Sequence, residues 1–173
     1  ESESMNVVIR PACAADREHV LAFTRNTWPW GDYIEEAWDS WLSDPRGGLV
    51  VAEADGQPVG MAMCTRPSDD EGWLQGLRVH PDYRRHGIAR ALTAYQIDWL
   101  RDEGATVARL AVYVSNLASQ NLVASAGFRH VTTFVEHEQP AALLADSAAQ
   151  ADVVAADDEE AAWAWLTASP TFL

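Results

Sequence analysis

Arg78, Arg84, Arg85 and Arg90 fall within thirteen residues, with His80 and His86 among them and Gly87 beside them. The rest of the chain is acidic: 26 Asp and Glu oppose 12 basic residues, every one an arginine, for a formal charge of -14. Guanidinium groups gathered at a glycine suit the binding of an anion. LRVHPDYRRHGIARAL reads as a strand, a turn and then a glycine at a helix start. The unpaired N–H groups of a helix N-terminus make an anion site that the helix dipole reinforces. Gly87 lets backbone approach the ligand closely, and Arg84 and Arg85 add charge-assisted hydrogen bonds. Such a loop fits a pyrophosphate. A nucleotide P-loop ending in Gly-Lys-Ser/Thr is excluded, because the chain has no lysine, and a dinucleotide fingerprint would need more glycines and a βαβ start.

Several elements must position this loop. VVIRPA (7–12) reads as a first strand, and 14–25 has helical spacing through Val20, Leu21 and Phe23. Tyr33, Ile34, Ala37, Trp38, Trp41 and Leu42 fit one face of a second helix, with Asp32 as its N-cap. GLVVAEADGQPVGMAMCT predicts two strands about an Asp55-Gly56 turn, and GWLQGLRVH a third. A long helix runs from Gly87 to Gly104, and 107–114 alternates as a strand with Ala108, Leu110, Val112 and Val114 on one face. A short helix follows between Asn116 and Gly127, and FRHVTTFVEH (128–137) returns as a strand.

Composition narrows the function class. A chain of 173 residues with 48% hydrophobic content can bury one sizeable core. The net negative charge argues against nucleic acid or an anionic membrane as partner, and no apolar run is long enough to span a bilayer. ESESMNVVIRP carries neither a basic nor an apolar leader region, so a cytoplasmic location is expected. Cys13 and Cys64 alone make neither a disulfide framework nor a metal site, and no metal is expected. An acidic surface without lysine suits concentrated salt, where repulsion is screened, and points to a halophilic protein. From residue 139 the chain becomes rich in Ala and Asp. The expected division is a core over 1–138 and an acidic segment over 139–173 with a short strand and a helix packed on the core; whether the native chain continues beyond Leu173 stays open.

The spacing Arg-x-x-Gly-x-Ala (84–89) resembles the phosphate-binding motif of the GNAT family of N-acetyltransferases. The lead-in VHPDYR and the later NLASQNLVASAGF strengthen the likeness, which covers roughly residues 7–136 in the family's element order. The resemblance implies an α+β fold, an α/β/α sandwich. Its mixed, mostly antiparallel sheet opens in a V-shaped splay between the fourth and fifth strands. It implies acetyl-CoA as co-substrate. Backbone at Leu77, Arg78 and Val79 would pair with the pantetheine arm, and the N–H groups of Arg85, His86, Gly87, Ile88 and Ala89 would hold the pyrophosphate. Asn116 would contact the pantetheine region with Ser119 nearby; the other readings are a plain N-cap and a helix-surface serine.

Acetyl transfer to an amine requires a neutral amine, a polarised thioester oxygen and a stabilised leaving thiolate. The family's usual glutamate position is Gln75 here, and its usual tyrosine position is Val123. Gln75 can position an amine or a water but is no base. Tyr113 and His80 are the replacement proton handlers considered, along with Glu136 and His137, against packing or surface roles. Over the acceptor, Trp28, Trp30 and Tyr33 would form an aromatic wall with Glu35 or Glu36 recognising an amine, while Trp38 and Trp41 read as core. DYIEEAWDSWL with QGLRVHP is also similar to the histidine N-acetyltransferase-like branch. The expected activity is direct acetyl transfer to a small amine or amino acid in a ternary complex, by a monomer or homodimer. The alternatives are a non-catalytic acetyl-CoA sensor or a protein N-terminal or lysine acetyltransferase.

Overall fold

A computed structural model describes residues 6–134. Structural units divide after His130, and the fold described is that of the first, Glu1–His130. The strand and helix expected after residue 139, and Glu136 and His137, lie outside the described residues.

β1 (Val7–Pro11) is followed by a 3-10 turn (Ala14–Asp16), α1 (Arg17–Thr24) and α2 (Ile34–Leu42). β2 (Gly47–Ala54) and β3 (Gln57–Thr65) form the expected hairpin, with Asp55 and Gly56 both at positive φ in its turn. Then come β4 (Glu71–Val79), a 3-10 turn (Pro81–Tyr83), α3 (Ile88–Asp102), β5 (Val107–Arg109) and α4 (Leu117–Ser125). The sheet order is β1-β2-β3-β4-β5, with β1 to β4 antiparallel and β5 parallel to β4.

Strand alternation sorts the core into two layers. Leu49, Val51, Met61 and Met63 pack against Val20 and Leu21 of α1 and Ile34 and Trp38 of α2. Val50, Ala52, Ala54 and Ala62 face the other way, against Ile88 and Leu92 of α3. Small residues on that face let α3 lie close to the sheet, while two methionines fill the wider gap beneath α1 and α2. Cys64 belongs to a third cluster with Leu74 and Leu100, and burial pushes its thiol up to about 12. It is a core residue.

β4 does not alternate evenly. Its register against β3 shifts between Met61 and Met63, opposite Gln75 to Arg78, and Gly76 sits at φ +66. Leu74 and Leu77 both pack on the α3 side although they are three residues apart. A Cβ at Gly76 would instead meet Trp41 of α2, and Arg78 reaches Asp32. One inserted residue, a β-bulge, therefore turns the end of the strand over.

The bulge bends β4, and its pairing with β5 covers only Glu71 to Trp73 against Val107 to Arg109. The eight-residue strand expected over 107–114 is thus three residues long, because beyond Trp73 no β4 edge runs alongside it. Ala108 and Leu110 still pack inward as the alternation predicts, whereas Val114 is exposed. The strand expected from Phe128 is not formed over 128–134. α2 also differs at its start: Tyr33 is the N-cap residue, and the Asp32 carboxylate accepts a hydrogen bond from the Ile34 N–H at 3.3 Å.

Candidate active site

The loop after β4 has the backbone of an anion cradle. Arg85 is left-handed at φ +66 and Gly87 at φ +80, and Gly87 is the N-cap of α3. The first backbone bond of the helix runs from Ala91 N–H to Gly87 O at 3.0 Å. Among the described residues, no backbone N–H from Arg85 to Arg90 donates to a protein acceptor. A Cβ at Gly87 would meet nothing within 4 Å, so the space above the loop is open. The His86 Nδ1–H donates to Arg84 O at 2.9 Å and helps to fix the turn. Ile88 is buried against the sheet, so it offers this site only its backbone N–H; Ala89 is half-buried.

The arginines divide into two groups. Eight of the chain's arginines, from Arg10 to Arg109, pair with a carboxylate. Arg84, Arg85 and Arg90, like Arg129 farther along the chain, are exposed and have no carboxylate partner among the described residues. Arg84 Nε donates to Val79 O at 3.3 Å, which folds its guanidinium back toward the end of β4. In a chain of charge -14, cations left unpaired beside free N–H groups are what an anionic ligand requires.

Upstream, Leu77 and Val79 direct their side chains to the α3 layer, and their strand has no β5 ladder beside it. This is the splay in which an extended arm can pair with strand backbone. Arg78 turns its side chain away from this edge. The bulge at Gly76 aims its side chain to the opposite layer, where Nε and Nη2 bond Asp32 at 2.7 and 3.1 Å and Nη1 bonds Leu77 O at 3.0 Å. Its backbone stays on the β4 edge between Leu77 and Val79.

Asn116 is the N-cap of α4, its side-chain oxygen accepting the Ser119 N–H at 3.1 Å. The capping reading is therefore correct for that oxygen. The Asn116 amide N–H groups and the Ser119 hydroxyl have no protein partner among the described residues. Val123 lies on α4, where its carbonyl accepts the Phe128 N–H at 3.0 Å.

Of the residues expected near the reacting atoms, Gln75 is half-buried on the α1/α2 side of β4, next to the bulge. Its amide has no side-chain partner among the described residues. His80 Nδ1 accepts the Asp82 N–H at 3.2 Å, and its ring packs edge-on against Phe23 and Tyr83 at 5.6 and 5.5 Å. That bond occupies Nδ1 of the ring. Tyr113 follows the end of β5 and is 63% exposed. Its carbonyl accepts the Asn116 N–H, and its ring carries no packing role in the core.

The acceptor-side residues assemble in part. Trp28 and Trp30 stack with centroids 6.2 Å apart at 4°, and Arg78 lies over the Trp28 ring at 4.6 Å and over Tyr33 at 5.4 Å. Tyr33 meets Trp41 edge-on at 5.8 Å. Trp38 is buried core as expected, while Trp41 is half-buried and covers the Gly76 bulge. Glu36 is exposed in the first turn of α2 and stands apart from this group; Glu35 pairs with Arg25 at 3.5 Å. Asp32 is a functional candidate absent from the sequence reading. Its partner lies 46 residues away, beyond any local pattern.

Known proteins share this fold. Residues 16–128 match the acetyltransferase (GNAT) family. An uncharacterised N-acetyltransferase of Mycobacterium tuberculosis is 31% identical over 112 residues, 65% of this chain and 69% of that one. An aminoglycoside N(6')-acetyltransferase type 1 of Klebsiella aerogenes is 28% identical over 137 residues, 72% of this chain and 90% of that one. Of solved structures, an aminoglycoside N-acetyltransferase AAC(6')-Iy in complex with CoA aligns at TM-score 0.68 and 21% identity, over 80% of this chain and 98% of that one, which shows the shared fold. The ribosomal-protein-S18-alanine N-acetyltransferase of Escherichia coli aligns at TM-score 0.64 and 28% identity, over 73% and 80%. With the splayed sheet, the glycine-started α3 and the family match over one continuous stretch, the chain belongs to the GNAT family of acetyltransferases.

Proposed function

We propose that this protein transfers the acetyl group of acetyl-CoA to the primary amine of a small molecule or amino acid, by direct attack in a ternary complex. The observation that carries the reading is the set of unpaired N–H groups from Arg85 to Arg90, flanked by three arginines without carboxylate partners. The pyrophosphate of CoA fits that cradle in charge and in donor count. The pantetheine arm fits the β4 edge at Leu77 to Val79, with the free amide of Asn116 and the Ser119 hydroxyl on the far side of the splay.

In the reaction the amine lone pair attacks the thioester carbonyl, the C–S bond breaks, and the nitrogen's proton leaves as the thiolate gains one. Gln75, beside the bulge at Gly76, is the amide that orients the amine or a water in this reading. With no carboxylate at that position, the amine arrives already neutral from bulk water. Tyr113, exposed on the chain leaving β5, is the phenol assigned to the departing thiolate. Much of the rate gain then comes from holding both reactants in line.

A small acceptor is favoured because the segment between α1 and α2 lays aromatic rings against β4 at the place where a protein substrate would need an open groove. The Klebsiella relative's named acceptor is a small molecule, which agrees with this. The reading is tested by thiol release from acetyl-CoA across a panel of amines and amino acids in molar KCl. Turnover with at least one small amine is expected. Acetyl-CoA binding without turnover on any member would overturn this reading in favour of a non-catalytic sensor or a protein acetyltransferase.

A further inference from the structure

We infer that Arg78 is a positioning residue of the acceptor side, and that its ion pair with Asp32 is the latch that holds the acceptor wall against β4. The inference rests on the acetyltransferase reading above, and assigns to Arg78 a role that the strand's sequence pattern does not.

The Asp32 side chain is 1% exposed and that of Arg78 15%. Two parallel bonds fix the guanidinium in one plane, and its two faces are left for rings. Trp28 and Tyr33 cover it, at 4.6 and 5.4 Å. Trp28 begins a tight turn closed by Gly31 N–H to Trp28 O at 3.0 Å, and this turn brings Trp30 back parallel to Trp28. Tyr33 in turn leans on Trp41, which covers Gly76. Contacts therefore run without a break from the bulge beside Gln75, through Trp41, Tyr33, Arg78 and Trp28, to Trp30.

At the outer end Trp30 is 79% exposed, a large apolar ring held out in solvent. Nothing in the fold of β4 or α2 needs it there. Its orientation is set by Trp28, and Trp28 is set by Arg78. Because Asp32 and Arg78 neutralise each other, the wall presents ring faces rather than net charge to whatever lies against it. A buried pair is also screened little by salt, unlike the exposed Asp98–Arg101 pair, so the latch keeps its geometry in concentrated KCl.

The test separates the two sides of the site. Arg78→Lys keeps the charge but cannot bond bidentately or cover two rings. Arg78→Lys and Asp32→Asn are compared with the unaltered protein in three measurements. These are acetyl-CoA affinity by calorimetry, steady-state kinetics with the best amine of the panel, and acrylamide quenching of tryptophan fluorescence with Trp30→Phe as reference. The expected result is an acceptor KM raised about tenfold or more, with kcat and acetyl-CoA affinity changed by less than about threefold. Altered quenching that disappears in the Trp30→Phe background is expected with it. Loss of acetyl-CoA affinity with unchanged acceptor KM, or unchanged quenching where no amine turns over, overturns the inference. Failure of the unaltered protein to bind acetyl-CoA overturns the acetyltransferase reading instead.

Discussion

Gly76 lies so close beneath Trp41 that a Cβ on the glycine would come within 2.7 Å of the indole. The ring is rigid and the glycine holds φ +66, so neither partner can yield cheaply. This contact fixes the bulge in β4, and the bulge in turn opens the splay and aims Arg78. Gly76→Ala is expected to lower the unfolding free energy by about 2 kcal/mol through overpacking and left-handed strain. Urea denaturation checks this: the midpoint should fall at an unchanged slope.

At the other end of the sheet, Arg10 bonds Asp16 through both Nη atoms at 2.8 Å and reaches Glu53 at 2.7 Å. These bonds tie β1 and β2 to the start of α1. The Arg10 guanidinium outweighs burial and holds the Asp16 carboxyl down at about 2, below its ordinary 3.8. A depressed carboxyl stabilises the fold above its unfolded pKa, and that contribution is lost as pH falls through the folded one. The stability curve should therefore decline between about pH 4 and pH 2. Asp16→Asn should lower stability at neutral pH by about 2 kcal/mol and flatten this acid limb, measured by denaturation across the same pH range.

Gln75 makes a kinetic prediction. Without a carboxylate at this position, kcat/KM should rise about tenfold per pH unit up to the acceptor amine's own pKa. Gln75→Glu supplies a base at that place and should raise kcat/KM below the amine pKa and flatten the slope. A wild-type profile already flat over that range would mean that another group takes the proton.

Much of this fold is legible in the sequence because its signals are local. Asp55-Gly56 gives the hairpin, Gly87 and Gly104 bracket α3, and Asn116 and Gly127 bracket α4. The anion loop is equally local, a run of residues whose backbone makes the site. The acceptor side is not. Even alternation through LQGLRV would put Arg78 on the α3 face, and only the bulge reverses it. A glycine inside a strand is the usual mark of such a bulge, and Gly76 carries it. The Asp32–Arg78 pair and the short β5 follow from that one turn in the chain, and no pattern within either segment encodes them.

The most direct measurement is calorimetric titration of acetyl-CoA into the unaltered protein and into Gly87→Glu, in molar KCl. Gly87 has open space where a Cβ would stand, so a glutamate can be accommodated sterically, at the cost of left-handed strain of about 1 kcal/mol. Its carboxylate would then stand where the pyrophosphate is expected. The account predicts saturable binding by the unaltered protein and its loss in a variant that stays folded. Equal binding by both proteins, or by neither, would contradict it.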